Sequence, residues 1–129
     1  MTKYKSQGFR GTFRNARKGF NLAIRSEMNI RVHTAIATLV IFLALFLKFS
    51  VQEFCILLFA IAIVIVTEML NTAIEFALDS IYHNRYSRMV GMAKDISAGA
   101  VMFATFISIL VGLILFGNKL LFLLLAGEG

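Results

Sequence analysis

The chain has 129 residues, of which 59% are hydrophobic and 16% charged, with a mean hydropathy of +0.81. That is too apolar for a soluble domain of this size and too short for a second domain. A net charge of +6 would suit nucleic acid, but the basic residues flank apolar segments, so anionic lipid headgroups are the better partner and no nucleic acid is expected.

The only cysteine, Cys55, lies inside an apolar run and reads as a packing residue, with no internal disulfide available to it. His33 and His83 lack a metal-ligand spacing. Proline is absent, which favours long uninterrupted helices.

Residues 1–8 are polar. From Phe9 to about Arg31 the pattern is amphipathic: Phe9, Phe13, Ala16, Phe20 and Ile24 recur at three- and four-residue intervals, while Arg10, Arg14, Arg17, Lys18, Asn21 and Arg25 take other faces. A basic side opposite a phenylalanine-rich side predicts a helix lying in the membrane interface. No small-residue cleavage site follows the next apolar run, so a signal peptide is not expected. Glu27 falls on the phenylalanine face, about 20° from Phe20. It either pairs with Arg31 at i+4 or points into the bundle toward an acidic row farther along the chain.

Val32 to Phe49 is the first spanning candidate, and Ser50–Val51–Gln52–Glu53 a short connection. The second helix is expected over residues 54–81, longer than a bilayer needs, so its final two turns must emerge. Tyr82 to Gly91 is a polar loop. A third helix is expected over residues 93–125, interrupted near Gly117–Asn118–Lys119. Eight Lys/Arg precede the first span and three lie about the second loop, against only Lys48 and Lys119 on the other side. The positive-inside rule makes the N-terminus and second loop cytoplasmic, in a multi-pass protein of the cytoplasmic membrane.

The end of the second span carries Glu68–Met69–Leu70–Asn71–Thr72–Ala73–Ile74–Glu75–Phe76–Ala77–Leu78–Asp79. At about 100° per residue, Glu68, Glu75 and Asp79 fall within roughly 40° of one another, and Asn71 about 60° to one side. An ionised carboxylate at membrane depth costs several kcal/mol unless paired, hydrated or metal-bound. A solvated helix end would not restrict its acids to one stripe, so the row reads as functional. The third helix opens with Ala93–Lys94–Asp95–Ile96–Ser97–Ala98–Gly99–Ala100. A lysine and free N–H groups at a helix start suit a phosphate, with Asp95 as a dipole partner. The small residues allow close approach of a neighbouring helix.

These blocks resemble a known family. Glu68 to Asp79 is similar to the signature of the small bacterial integral-membrane diacylglycerol kinases, and Ala93–Lys94–Asp95–Ile96–Ser97–Ala98–Gly99–Ala100–Val101 to their second motif. Lys18–Gly19–Phe20 through Glu27–Met28–Asn29–Ile30–Arg31–Val32–His33 looks like their N-terminal block, in the form of Gram-positive members that phosphorylate undecaprenol.

The resemblance implies an all-α membrane fold: a homotrimer of three-helix subunits, each with an N-terminal surface helix, and active sites shared between subunits. It implies transfer of the ATP γ-phosphoryl group to a lipid alcohol, with Glu68 as the base that takes the hydroxyl proton. Glu27 and Glu75 would hold Mg²⁺ on the ATP phosphates. Lys94 and Asp95 would contact the nucleotide, together with Tyr86 in the second loop and an N-terminal arginine, Arg10 or Arg14. Asn71 and Asp79 would orient the site. The residues agree with this kit, because phosphoryl transfer is mainly positioning and charge neutralisation. Undecaprenol is the expected acceptor and diacylglycerol the first alternative. From other classes, a small oligomeric transporter or channel subunit would use the stripe as a cation path, and a membrane assembly subunit would use it to join helices.

Overall fold

A computed structural model describes residues 8–83, 85 and 87–128. The described residues form four helices: α1 (Phe9–Ser26), α2 (Met28–Phe46), α3 (Val51–Tyr82) and α4 (Arg88–Ala126). The last three are each long and apolar enough to cross a membrane. The fold is thus all-helical, with three spanning candidates preceded by an amphipathic helix.

α1 ends earlier than the periodicity implies. Glu27 is extended (φ −120°, ψ 121°) between α1 and α2, so one residue redirects the chain from the surface helix into the first span. No loop residues intervene, which is why the apolar rhythm runs through the break. Among the described residues α1 buries only Ala23, while Phe9, Phe13 and Phe20 remain exposed to the surroundings. That uncovered aromatic side is the one an interfacial helix presses into lipid.

α3 starts inside the expected connection because Ser50 and Glu53 form a capping box: the Ser50 hydroxyl accepts from the Glu53 N–H at 3.2 Å, and Glu53 Oε2 accepts from the Ser50 N–H at 2.7 Å. Two otherwise unpaired backbone donors are thereby satisfied. At its other end His83 takes the left-handed conformation (φ 49°), and its N–H caps Asp79 O. α4 starts at Arg88, five residues before the expected start, because the Ser87 hydroxyl accepts from the Val90 N–H at 3.1 Å.

α4 also runs unbroken through Gly117–Asn118–Lys119, contrary to the expected interruption. Lys119 stays in the helix because its charge is met: Nζ lies 3.0 Å from Glu53 Oε2 and 5.8 Å from the centre of the Phe49 ring. The Phe49 and Phe116 rings meet beside it at 4.8 Å.

Packing is narrow and regular. The buried positions are Ile30, Ala37 and Ala44 in α2, Leu57, Val64, Glu68 and Thr72 in α3, and Val90, Ser97 and Ala104 in α4. In α2 and α4 these recur every seven residues, the spacing of a left-handed seam. Alanine and serine at those positions let backbones approach closely, as membrane helices require. Between the two ends, the Ser108 hydroxyl donates to Ala60 O at 2.7 Å and ties α4 to α3. α3 is the central helix, packed mainly on α4 and also on α2, with α1 touching the α2 and α3 ends.

The exposed phenylalanines of α1 generate one prediction. Phe13→Asp with Phe20→Asp should lift α1 from the bilayer, read as loss of quenching by bromolipids of a fluorophore on α1. Undiminished quenching would contradict the interfacial role.

Candidate functional site

The acidic stripe is divided by its surroundings. Glu68 lies in the seam between α3 and α2, 4% exposed. Its Oε1 is 3.3 Å from His33 Nε2 on α2. One turn further, Thr72 is buried and spends its hydroxyl on Glu68 O at 3.0 Å. Asn71 turns toward α4 instead: Ser97 donates to its Oδ1 at 2.6 Å, and its Nδ2 reaches Glu75 Oε1 at 3.4 Å. Asn71 therefore couples a half-buried carboxylate to the neighbouring helix. The neutral Ser97–Asn71 bond contributes about 1 kcal/mol net, and it fixes the amide that meets Glu75.

At the end of α3, Asp79 accepts a hydrogen bond from Lys94 Nζ at 2.7 Å. The two side chains are 40% and 37% exposed, so this ion pair adds little to stability and chiefly fixes where the ammonium sits. Glu75 is also near enough for its charge to act on Lys94. Asp79, Lys94, Asp95 and Arg85 share a cleft of about 390 Å³ where α3 gives way to α4. Asp95 itself is exposed.

The expectation of a helix-start phosphate site at Lys94 is corrected by this arrangement. With α4 beginning at Arg88, the unpaired backbone donors belong to the turn before Lys94. Lys94 thus offers a ligand its side chain and no free backbone N–H, and Asp95 is too far into the helix to serve as an N-terminal dipole partner.

Glu27 is half-buried at the α1–α2 break, and the alternative pairing with Arg31 does not form: no ion pair joins them among the described residues. Arg10 and Arg14 are exposed on α1 and make no ion pair there either. Tyr86 lies outside the described residues. No three His, Cys, Asp or Glu side chains come together as a metal cluster among the described residues.

Two members of this constellation lie inside the quoted blocks, but the motifs alone assign them no role. Ser97 looks like a small packing residue, yet its hydroxyl is the partner of Asn71. His33 looks like a polar residue near a span boundary, yet it reaches Glu68. The available signal was its place three residues after Ile30 and four before Ala37, on the face that packs against α3. An apolar groove of about 560 Å³ runs between α2, α3 and α4, with His33 among its lining residues and Phe116 and Leu120 toward its other end.

Comparison with known proteins gives this geometry a context. The profile of the family described as prokaryotic diacylglycerol kinase matches residues 14–116. A diacylglycerol kinase of Synechocystis sp. is 33% identical over 101 residues, which are 78% of this chain and 58% of that protein. An undecaprenol kinase of Bacillus subtilis is 34% identical over 109 residues, 84% of this chain and 88% of that protein. This chain thus spans little more than half of the cyanobacterial relative and nearly all of the Bacillus one. With the family profile covering most of its length, the chain belongs to the prokaryotic diacylglycerol kinase family.

Proposed function

We propose that this protein is a lipid kinase that moves the γ-phosphoryl group of ATP onto the hydroxyl of a membrane lipid, with undecaprenol as the preferred acceptor. The observation that carries the reading is Glu68: a carboxylate 4% exposed in a helix seam, at the same end of the bundle as the Asn71–Glu75 and Asp79–Lys94 pairs. A transporter path would need the acids to line a continuous passage. Here they divide between a seam and a side cleft.

In this reading Glu68 takes the proton from the lipid hydroxyl, whose oxygen attacks the γ-phosphorus while the bond to the β-phosphate oxygen breaks and ADP leaves. Lys94, held by Asp79, neutralises phosphate charge, and Asp95, Arg10 and Tyr86 contact the nucleotide. Asn71 orients Glu75. Glu27 and Glu75 would hold Mg²⁺, which supplies charge neutralisation at the phosphates. The excess of Lys/Arg around the N-terminus and second loop supports placing this end on the cytoplasmic face of the cytoplasmic membrane, where ATP is present. A homotrimer with sites shared between subunits is part of the same reading.

The name of the Synechocystis relative favours diacylglycerol as a second acceptor, and that of the Bacillus relative favours undecaprenol. The test is transfer of labelled phosphate in mixed micelles offering each lipid separately. Faster labelling of undecaprenol supports the proposal; faster labelling of diacylglycerol replaces the acceptor; no labelling of either lipid overturns the kinase reading. Glu68→Ala should cost about 10²- to 10⁴-fold in turnover while the oligomer stays intact by size-exclusion chromatography; near-normal turnover would remove its role as base. Glu75→Ala should raise the Mg²⁺ concentration for half-maximal rate by about tenfold or more. An unchanged metal dependence would count against Glu75 as a ligand.

A further inference from the structure

We propose that His33 is a positioning residue for Glu68: its Nε2–H holds Oε1 of the carboxylate and leaves the second oxygen to face the lipid hydroxyl. The proposal rests on the kinase reading above and deepens it.

Three observations carry it. First, His33 Nε2 and Glu68 Oε1 are 3.3 Å apart, with side-chain exposures of 26% and 5%. The contact is a close approach of the two groups rather than an aligned hydrogen bond, and catalytic contacts of this kind commonly tighten only when substrate binds. Second, the two threonines early in α2 turn inward on their own helix: the Thr34 hydroxyl donates to Ile30 O at 2.7 Å and the Thr38 hydroxyl to Thr34 O at 2.9 Å. Of the three, only His33 reaches across to α3. Third, Glu68 has no other side-chain partner among the described residues, and no sealed side-chain oxygen there lacks a partner. The second carboxylate oxygen of Glu68 is therefore left without a protein partner among the described residues.

In the proposed arrangement the nitrogen facing Glu68 carries a hydrogen, because a carboxylate only accepts. His33 lines the apolar groove as well, so one ring borders both the groove and Glu68. A carboxylate free to rotate would present either oxygen to the hydroxyl. One held by a ring donor presents a single oxygen in a fixed direction, which matters most in the chemical step.

The test is steady-state kinetics of the full-length protein in lipid micelles with Mg²⁺ and ATP, comparing wild type, His33→Ala and His33→Gln. Glutamine retains a donor N–H at about the reach of Nε2; alanine does not. His33→Ala should lose roughly tenfold or more in kcat, with KM for ATP and for lipid changed less than about threefold, and His33→Gln should regain most of that loss. A wild-type kcat in His33→Ala, or His33→Gln as slow as His33→Ala in an intact oligomer, overturns the positioning role and leaves the kinase reading standing. Wild-type protein inactive on every lipid alcohol overturns the kinase reading and this proposal together.

Discussion

A carboxylate withdrawn from water at membrane depth is costly unless something meets its charge, and Glu68 is the residue on which that constraint falls. Its placement follows from the packing: α3 turns Leu57, Val64, Glu68 and Thr72 inward, so the row that forms the core at one end becomes a row of polar groups at the other. α2 supplies Ile30 and Ala37 against the same seam, and the residue between them is His33. The change from apolar to polar occurs along one helix face, within about two turns.

The α3–α4 pair gives this end a stable frame. At the far end, the Glu53–Lys119 ion pair joins the two helices, and Phe49 in the connection before α3 packs its ring on Phe116. Midway, Ser108 bonds to Ala60, and at the polar end Ser97 bonds to Asn71 and Lys94 to Asp79. Side chains carried on helices tied at several levels are held more precisely than side chains on loops. The chain thus presents Glu75, Asp79 and Lys94 from helices, with a left-handed His83 closing α3.

Much of this was legible in the residues, and the reason is periodicity. Three apolar runs, an amphipathic start and an acidic row at helical spacing are properties of single helices, so sequence exposes them directly. The register between helices is not such a property. Nothing in α4 alone says that Ser97 stands opposite Asn71 or that Lys94 meets Asp79, and nothing in α2 alone says that His33 meets Glu68. Helix ends are hidden from the sequence for a related reason. Ser50, Glu53 and Ser87 look like loop residues by polarity, whereas their side chains cap the helices they precede or open. The break at Glu27 left no trace because the hydrophobic rhythm resumes at once in α2.

The central claim is that a lipid hydroxyl is delivered to the Glu68 end of the α2–α3 seam. Photo-crosslinking with a lipid alcohol carrying a diazirine beside its hydroxyl tests this most directly, with adducts located by mass spectrometry. The account predicts adducts on α2 and α3 within a turn or two of His33 and Glu68, suppressed by an excess of the unlabelled alcohol. Adducts concentrated instead around Phe49, Phe116 and Lys119, at the opposite end of the bundle, would contradict it.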